Sequence, residues 1–395
     1  MGKFEAFTGD QAFAEAMRQI NPDVVAAYPI TPQTETVEFF ADFVADGLVD
    51  TEFVTVESEH SAMSACVGAS AAGARVMTAT SANGLALMWE VLYIAASNRC
   101  PIVMSLVNRA LSGPINIHCD HSDVMGMRDA GWIVLFSESG QEAYDNAIQA
   151  VRVAEHPDVL LPVAVCQDGF ITSHGMERVE IYDDDKVRAF AGAYRPRWPL
   201  LDLEKPKTYG PLDFYDYYYE HKRQQVEAMA HAEGVIGDVA AEFNGAFGGN
   251  YGLFEAHCLD DAEVAVVAVN STAGTARVVV DALRSQGHKA GLLKLRVFRP
   301  FPARALAEAL GGVKAVAVMD RSVSFGAADN AGPLFLELAA ALAVQGVRVP
   351  VCDYVYGLGG RDIRPSEIEG IYRDLFRAAA TGRVDQVVNY LGVRE

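Results

Sequence analysis

The chain has few cysteines, no long apolar run and no excess of basic residues, and each absence excludes a class of protein. No segment approaches the roughly 18 consecutive apolar residues of a membrane-spanning helix, so no membrane span is predicted. The formal net charge of −20 argues against nucleic acid and anionic membranes as partners, since both require a basic face. With no signal-peptide pattern, free thiols predict a reducing cytoplasmic location.

The cysteines also limit which cofactors this chain can hold. There are six, with no C-x-x-C pair among them: Cys66, Cys100, Cys119, Cys166, Cys258 and Cys352. Zinc and iron–sulfur clusters are usually bound by closely spaced pairs of such ligands. The chain alone therefore offers no framework for either.

What the chain does have is a regular alternation of apolar segments and helical patterns. The predicted strands lie at residues 24–28, 53–56, 76–80, 102–106, 132–136 and 160–166, and the helices at 11–19, 34–45, 60–73, 84–97 and 141–155. Nearly continuous apolar strands that alternate with helices are typical of a parallel sheet covered on both faces. The sequence thus predicts a doubly wound α/β domain over residues 1–185.

The pattern changes near residue 182 and resumes near residue 263. The intervening stretch is rich in proline and tyrosine, which predicts a connecting arm over 186–258 with a helix at 224–243 and tyrosines suited to an interface. Beyond it, strands are predicted at 264–269, 292–295, 315–319 and 347–352, and helices at 274–285 and 333–344. These elements predict a second, smaller parallel α/β domain over 259–395.

Two carboxylates at the end of the second predicted strand are the most function-like feature of the sequence. Glu57 and Glu59 flank Ser58, and in an extended segment their side chains point to the same side. Ligands of open α/β sheets bind outside the carboxyl ends of the strands. The pair is compatible with a binding site and equally with a solvated sheet edge.

A polar segment follows the strand predicted at 102–106. Residues 108–129 are long for a connection in such a fold, and long loops are often functional. Arg109 is suited to hold a carboxylate in a bidentate manner, although a surface arginine is an ordinary alternative. Residues 118–123, HCDHSD, are dense in possible ligands, but adjacent ligands rarely chelate one ion, so we predict no metal site and a loop whose polar side chains hold its own backbone.

No nucleotide-binding fingerprint is complete. Residues 68–73, GASAAG, lack the Lys-Ser/Thr of a phosphate-binding loop, and residues 357–360, GLGG, lack the full G-x-G-x-x-G pattern. A nicotinamide-dependent dehydrogenase with two doubly wound domains is an alternative that these incomplete motifs count against.

Several stretches, taken in order, resemble the α subunit of the 2-oxoacid:ferredoxin oxidoreductases. The similar segments cover nearly the whole chain and are YPITP (28–32), ESEH (57–60), TSANGL (80–85), NRALS (108–112), DHSD (120–123), RDAGW (128–132), DGF (168–170), RVFRPFP (296–302), AVMDR (317–321) and YGLGGRD (356–362). The resemblance implies a thiamine diphosphate-binding domain of the pyrimidine type, followed by a transketolase C-terminal-like domain.

The same resemblance implies that the cofactor is shared with other subunits. The chain has no G-D-G motif, so it is expected to supply the aminopyrimidine half of the thiamine diphosphate site, while a β subunit binds the diphosphate through Mg²⁺. The [4Fe-4S] clusters are expected on γ and δ, or fused ferredoxin-like, subunits. Coenzyme A, a 2-oxoacid, and ferredoxin or another electron acceptor complete the implied partners.

The resemblance also assigns roles to individual residues. Glu59 matches the carboxyl group that binds the pyrimidine ring nitrogen, and Glu57 is then structural. Arg109 and Thr31 match residues that hold the carboxylate and oxo group of the 2-oxoacid. Tyr28 and Pro29 are expected to form a wall of the cofactor site.

Within the family the chain is most similar to the pyruvate branch. The segment RALSGPIN (109–116) and Thr31 agree with pyruvate synthases, which convert pyruvate and CoA reversibly to acetyl-CoA and CO₂ with electrons passed to ferredoxin. His118-Cys119 departs from the Trp-Asn expected there, which leaves another 2-oxoacid such as phenylglyoxylate as an alternative. A scaffold subunit without catalytic function is a further alternative, against which the intact Thr31, Glu59 and Arg109 argue.

Overall fold

The computed structural model describes residues 2–394. Within them the strands are β1 (Lys3–Phe7), β2 (Val24–Ala27), β3 (Glu52–Thr55), β4 (Val76–Thr80), β5 (Ile102–Asn108), β6 (Ile133–Ser137), β7 (Val163–Asp168), β8 (Glu177–Ile181), β9 (Phe254–His257), β10 (Val264–Ala268), β11 (Ala290–Leu295), β12 (Val297–Arg299), β13 (Ala315–Asp320), β14 (Val351–Val355) and β15 (Val388–Tyr390). The α-helices are α1 (Gly9–Ile20), α2 (Thr34–Ala45), α3 (Glu59–Ala72), α4 (Ala82–Leu87), α5 (Trp89–Ser97), α6 (Ser122–Met127), α7 (Gly140–Glu155), α8 (Asp184–Ala191), α9 (Tyr218–Phe247), α10 (Thr272–Ser285), α11 (Ala303–Leu310), α12 (Pro333–Val344) and α13 (Pro365–Thr381).

Seven strands form the larger sheet, in the order β12-β6-β7-β5-β4-β2-β3. All its pairings are parallel except that of β12, which runs antiparallel to β6 at one edge. Both faces are covered: on β5, Val103 shares a core with Phe13 of α1, whereas the next residue, Met104, shares another core with Met63 of α3. The predicted parallel α/β sheet with two covered faces is confirmed.

Six strands form the smaller sheet, in the order β15-β14-β13-β10-β11-β9. Its pairings are parallel apart from that of β9, which the sequence did not predict. Phe136 of β6 and Trp132 just before it share one apolar core with Val267 of β10 and Leu338 of α12. Strand β12 belongs to the C-terminal half of the chain and yet extends the larger sheet, so the two halves are joined by both packing and strand pairing.

Local sequence explains where the main helices begin. Thr8 caps α1 through a capping box with Gln11, and Ser58 and Ser139 accept hydrogen bonds from the first turns of α3 and α7. Such side chains satisfy backbone N–H groups that have no partner within the helix. The cap at Ser58 matters for function, because it turns the chain from the end of β3 into a helix.

Some predicted boundaries are correct and others are wrong. The bounds of α2, β4 and α12 agree with prediction, but residues 84–97 form two helices, because the N–H of Met88 is divided between the carbonyls of Gly84 and Leu85 at 3.1 Å each. The strands predicted at 160–166 and 347–352 begin only at β7 and β14. In both cases a proline, Pro162 or Pro350, lies just before the strand and has no N–H for the ladder.

The loop predicted at 108–129 and the predicted arm contain more helix than expected. Residues 108–129 include α6, and the arm includes α8 and a longer α9 than the predicted 224–243. Helix α9 packs onto the first domain through Ala232, Val239 and Phe243. Among the helices of residues 2–394, none combines the length and apolar character needed to cross a membrane.

Candidate active site at the carboxyl ends of β2 to β5

The segments that follow four neighbouring parallel strands meet at one edge of the larger sheet. They are residues 28–32 after β2, 57–59 after β3, 81–84 after β4 and 109–116 after β5. Carboxyl ends of parallel strands lie at the same edge, where ligands of open α/β sheets bind. Every predicted site residue belongs to one of these segments.

Glu59 and Glu57 do not point to the same side, and that prediction is wrong. Ser58 has an extended backbone and accepts a hydrogen bond from the N–H of Ser61 at 3.3 Å, so α3 begins at Glu59 and the extended conformation ends at Ser58. Glu59 is buried, with 7% of its surface exposed, whereas Glu57 is exposed and accepts a hydrogen bond from the Ser61 hydroxyl. The helix cap separates the two carboxylates. Glu59 packs against Gly84, whereas Glu57 points to solvent.

The carboxyl group of Glu59 is buried and yet has no protein partner. Within residues 2–394 it forms no hydrogen bond or ion pair, and the nearby buried hydroxyl of Thr80 has no partner either. Gly84 closes this side of the site: a Cβ there would lie 2.7 Å from Glu59 Oε1 and 2.6 Å from Thr80 Oγ1. The carboxyl oxygens of Glu59 are not fully enclosed by protein, so they remain open to a ligand, and an unpaired carboxyl group in this position fits a ligand that presents a nitrogen.

Arg109 lies just past β5 and reaches across to the segment after β2. Its Nη1 donates to the carbonyl oxygen of Thr31 at 2.9 Å, and its Nε donates to the carbonyl oxygen of Asn116 at 3.0 Å. Nη2 forms no hydrogen bond within the described residues. Burial lowers the pKa of Arg109, an effect that the charge of Asp123 opposes, but a guanidinium remains charged in proteins. The group is thus oriented by two backbone oxygens with donors left for an anion.

The structure brings Arg109 and Thr31 together, but it does not show Tyr28 and Pro29 forming the wall of a site. Thr31 and Pro29 are exposed and Tyr28 is half-buried at the end of β2. The Tyr28 hydroxyl forms no hydrogen bond in the part of the chain described. The predicted contact of Tyr28 and Pro29 with a cofactor therefore stays a prediction.

Asp123 organises this edge, and sequence reasoning did not assign it a role. One carboxylate oxygen accepts from the N–H of Arg109 at 3.0 Å and from that of Ala82 at 3.1 Å, and the other accepts from Asn108 Nδ2 at 3.0 Å. Burial raises the pKa of Asp123 to about 6, although these hydrogen bonds favour the charged form. The position of Asp123 in the polar segment 118–123 could have indicated such a role. From the sequence, this segment was interpreted only as a loop whose side chains hold its own backbone.

That interpretation of the loop is correct for Asp120, whereas Cys119, His121 and Asp123 bond residues outside the loop. Asp120 accepts from the N–H and hydroxyl of Ser122, and Asn116 Oδ1 accepts from the N–H of His118. His118 is exposed and its ring packs on Phe170 at 5.2 Å between centroids. Asp120 and Asn116 thus satisfy backbone N–H groups within this connection.

A second buried carboxylate, Asp168 at the end of β7, joins the two halves of the chain. Its hydrogen-bond donors are Cys119 Sγ (3.2 Å), His121 Nε2 (2.8 Å), Asn270 Nδ2 (3.0 Å), Arg321 Nη1 (3.0 Å) and both the N–H and the hydroxyl of Ser271. Burial by itself raises the pKa of Asp168, but the charges of Arg321 and His121 outweigh it and hold the pKa well below its usual range. Asp168 is therefore ionised and serves as the anchor between the halves.

The Asp168 cluster does not suit a metal ion. Cys119, His121 and Asp168 could in principle act as three ligands, but the Arg321 guanidinium already neutralises the carboxylate at 3.0 Å. Burial, reinforced by Asp168, raises the pKa of the Cys119 thiol well above its usual value. The thiol therefore stays protonated and donates to Asp168, and Cys119 is part of the contact between the halves.

Comparison with known proteins agrees with this arrangement. Residues 15–241 match the family described as "Pyruvate flavodoxin/ferredoxin oxidoreductase, thiamine diP-bdg", and residues 262–368 match "Pyruvate:ferredoxin oxidoreductase core domain II". Together the two matches define an oxidoreductase subunit with a thiamine diphosphate-binding fold. The chain belongs to the pyruvate:ferredoxin oxidoreductase family.

Three relatives show how far the similarity extends. The chain is 59% identical to pyruvate synthase subunit PorA of Thermotoga maritima, over 99% of this chain and 98% of that one. It is 47% identical to PorA of Methanocaldococcus jannaschii, over 100% and 99% of the two chains. It is 42% identical to ketoisovalerate oxidoreductase subunit VorA of Pyrococcus abyssi, over 97% and 96%.

Solved structures share the fold at low sequence identity. A 2-oxoglutarate:ferredoxin oxidoreductase from Magnetococcus marinus superposes with a TM-score of 0.74 at 19% identity, over 94% of this chain and 65% of that one. A split-gene transketolase superposes with a TM-score of 0.54 at 13% identity, over 95% and 98%. The predicted pairing of a thiamine-type domain with a transketolase C-terminal-like domain is confirmed.

Proposed function

We propose that this chain is the α subunit of a pyruvate:ferredoxin oxidoreductase, which converts pyruvate and CoA to acetyl-CoA and CO₂ and passes electrons to ferredoxin. The observation that carries the proposal is the placement at one sheet edge of a buried, unpartnered carboxyl group, Glu59, and an oriented guanidinium, Arg109. One suits a nitrogen ligand and the other a carboxylate substrate. The relatives named PorA support pyruvate as that substrate.

Glu59 is the residue we assign to thiamine diphosphate. When bound, this cofactor supplies a nucleophilic carbon for attack on the 2-oxo group. Glu59 would hold a proton at the pyrimidine ring nitrogen, which requires a carboxyl group free of other partners. Gly84 packs against this carboxyl group and limits its exposure to water, which strengthens that hydrogen bond.

Arg109 and Thr31 are the residues we assign to the substrate. The Nη2 donors of Arg109 would bind the carboxylate of the 2-oxoacid. The Thr31 hydroxyl would bind the oxo group, since the carbonyl oxygen of the same residue accepts from Arg109 Nη1. Fixing the carboxylate orients the bond that breaks when CO₂ leaves. The reaction thus requires Arg109 and Thr31 to be held in a fixed position relative to each other.

Partner subunits must supply what this chain lacks. The six cysteines, of which five are buried, are scattered and unpaired, so we assign the [4Fe-4S] clusters to γ and δ, or fused ferredoxin-like, subunits. We assign Mg²⁺ and the diphosphate to a β subunit. The free thiols are consistent with a reducing compartment such as the cytoplasm.

This chain offers a docking face for the β subunit next to Glu59. Leu87, Trp89 and Ile94 of α4 and α5 are each 44–51% exposed, and Ser64 and Gly68 of α3 are exposed on the adjoining helix. Small residues permit close approach of another chain, and an exposed aromatic is a common interface anchor. A partner docked here would cover the opening to Glu59.

The test is substrate range in the complex purified through this chain. Anaerobic, CoA-dependent reduction of a viologen dye would be followed with pyruvate, 2-oxoglutarate, 2-ketoisovalerate and phenylglyoxylate. We expect pyruvate to give the highest kcat/KM. Preference for a bulkier acid would preserve the family and overturn the substrate, and no CoA-dependent turnover with any acid would favour a scaffold role.

A further inference from the structure

We propose that Asp123 and Asn270 are positioning residues for 2-oxoacid binding, through which the C-terminal half of the chain holds Arg109 in place. The proposal rests on the proposed role of Arg109 in binding the substrate carboxylate. It goes further because neither residue faces the opening beside Glu59 and Arg109. Both act through hydrogen bonds to residues that do.

The first step is the connection from Arg109 to Asp123. Asp123 accepts four hydrogen bonds, two on each oxygen, and the donors are the N–H groups of Arg109, Ala82 and Val124 and the Nδ2 of Asn108. Only a carboxylate can accept all four, since an amide has one oxygen and would present its NH₂ group to two donors. Asp123 therefore joins the segment after β4 to the segment after β5.

The second step shows why this junction matters at the site. Ala82 begins α4, and two residues later Gly84 packs against the Glu59 carboxyl group. The same carboxylate oxygen that holds the Ala82 N–H also holds the Arg109 N–H. One atom thus sets the spacing between the proposed cofactor residue and the proposed substrate residue.

The third step links Asp123 to the C-terminal half. Asn270 follows β10, and its Nδ2 donates to Asn108 Oδ1 at 3.2 Å, while its Oδ1 accepts from the N–H of Ser137 at 2.9 Å. The same Nδ2 donates to Asp168. Asn270 therefore binds residues at the ends of β5, β6 and β7 at once, and it orients Asn108 so that Nδ2 points at Asp123.

Asn270 has the backbone that this reach requires. Its φ is 51°, in the left-handed region that asparagine tolerates better than most residues. The turn directs the side chain from the end of β10 back toward the larger sheet.

The experiment compares Asp123→Asn and Asn270→Ala in the complex purified through this chain. Because the substrate-binding arginine loses its alignment, we expect Asp123→Asn to raise the KM for the 2-oxoacid about tenfold, and Asn270→Ala to raise it about threefold. The KM for CoA should change less than about twofold in both variants, and so should the kcat of Asn270→Ala, because among the described residues Asn270 forms no hydrogen bond to the segment that carries Ala82 and Gly84. The matched controls are Asp145→Asn, a buried carboxyl group on α7, and Asn389→Ala at the far edge of the smaller sheet.

The double variant tests whether the two residues act through one path. The effect of Asn270→Ala should vanish in the Asp123→Asn background, because one amide oxygen cannot serve both Asn108 and Arg109 and the path between them is already broken. If Asp123→Asn does not assemble, Asn270→Ala and its control carry the test. Equal KM changes for the 2-oxoacid and CoA, or KM values matching the controls, would overturn the proposal.

Arg109→Ala separates this proposal from the proposed function. If Arg109→Ala raises the KM for the 2-oxoacid strongly while Asp123→Asn and Asn270→Ala behave as their controls, only the positioning proposal falls. If Arg109→Ala leaves that KM unchanged, the assignment of Arg109 to the substrate falls, and the positioning proposal falls with it.

Discussion

The guanidinium of Arg109 donates to the carbonyl oxygen of Thr31 across a distance of 2.9 Å, although 78 positions separate the two residues in the chain. This bond joins the segments that follow β2 and β5. It leaves the Thr31 hydroxyl and the Arg109 Nη2 group available for a ligand. The substrate assignment therefore concerns a pair of residues already held together before any ligand binds.

The first prediction concerns this pair. Arg109→Ala should lower kcat/KM for the 2-oxoacid at least about 100-fold, because it removes the charge that binds the carboxylate. Thr31→Ala should lower it only about tenfold, since the carbonyl that holds Arg109 remains. Steady-state dye reduction would measure both, with the exposed Arg383→Ala as a control that should match wild type.

The second prediction concerns the two neighbouring glutamates. Glu59→Gln should lower kcat about 100-fold or more, because an amide cannot share an acidic proton with the cofactor ring. Glu57→Gln should keep nearly full activity, since Glu57 is exposed and, within residues 2–394, its side chain hydrogen-bonds only with Ser61. Comparable losses in both variants would show that burial of Glu59 does not mark the functional carboxylate.

The third prediction concerns Gly84. A methyl group at Gly84→Ala would lie 2.7 Å from Glu59 Oε1, too close without displacing the carboxyl group. We expect lower cofactor affinity and lower activity, measured by thiamine diphosphate titration and dye reduction. Gly234→Ala in α9 is the control, because its Cβ meets nothing within 4 Å and should stabilise the helix by about 1 kcal/mol. Normal titration of the Gly84→Ala complex would contradict the prediction.

The fourth prediction concerns the pH dependence of stability. Burial raises the pKa of Asp145 to about 7 from its usual 3.8. Between these values the folded chain binds the proton more tightly than the unfolded chain, so this group lowers stability as the pH rises from about 4 to 7.

The measurement compares wild type with Asp145→Asn at pH 5 and pH 8. Between these pH values the free energy of unfolding of wild type should fall by about 3 kcal/mol because of Asp145, at about 1.36 kcal/mol per pKa unit. Asp145→Asn has no proton to lose, so this decrease should be absent in the variant. The thermal unfolding midpoint should therefore fall less with rising pH in the variant. The exposed Asp385→Asn should follow wild type, and equal shifts in all three proteins would argue against a raised pKa.

Much of the fold was predictable because its signals are local. Apolar runs such as Val76–Thr80 identify buried strands, and the boundaries of α2 and α12 follow from periodicity and a proline at the first turn. The short strands β1, β8, β9, β12 and β15 escaped prediction, because three to five residues carry little pattern and their partners lie far along the chain. Helix α13 did carry a readable pattern, with Ile368, Ile371, Tyr372 and Leu375 at helical spacing, and was missed nonetheless.

The sequence by itself determined the α/β class, the family and the identity of Glu59, Arg109 and Thr31 as candidates, since motifs and periodicity are properties of neighbouring residues. The tertiary structure decided which glutamate is buried, because Glu59 is covered only where α3 packs against Gly84 of α4. It also decided that Asn270 reaches Asn108 across 162 positions. Such contacts depend on how the chain closes on itself, and no local pattern encodes that closure.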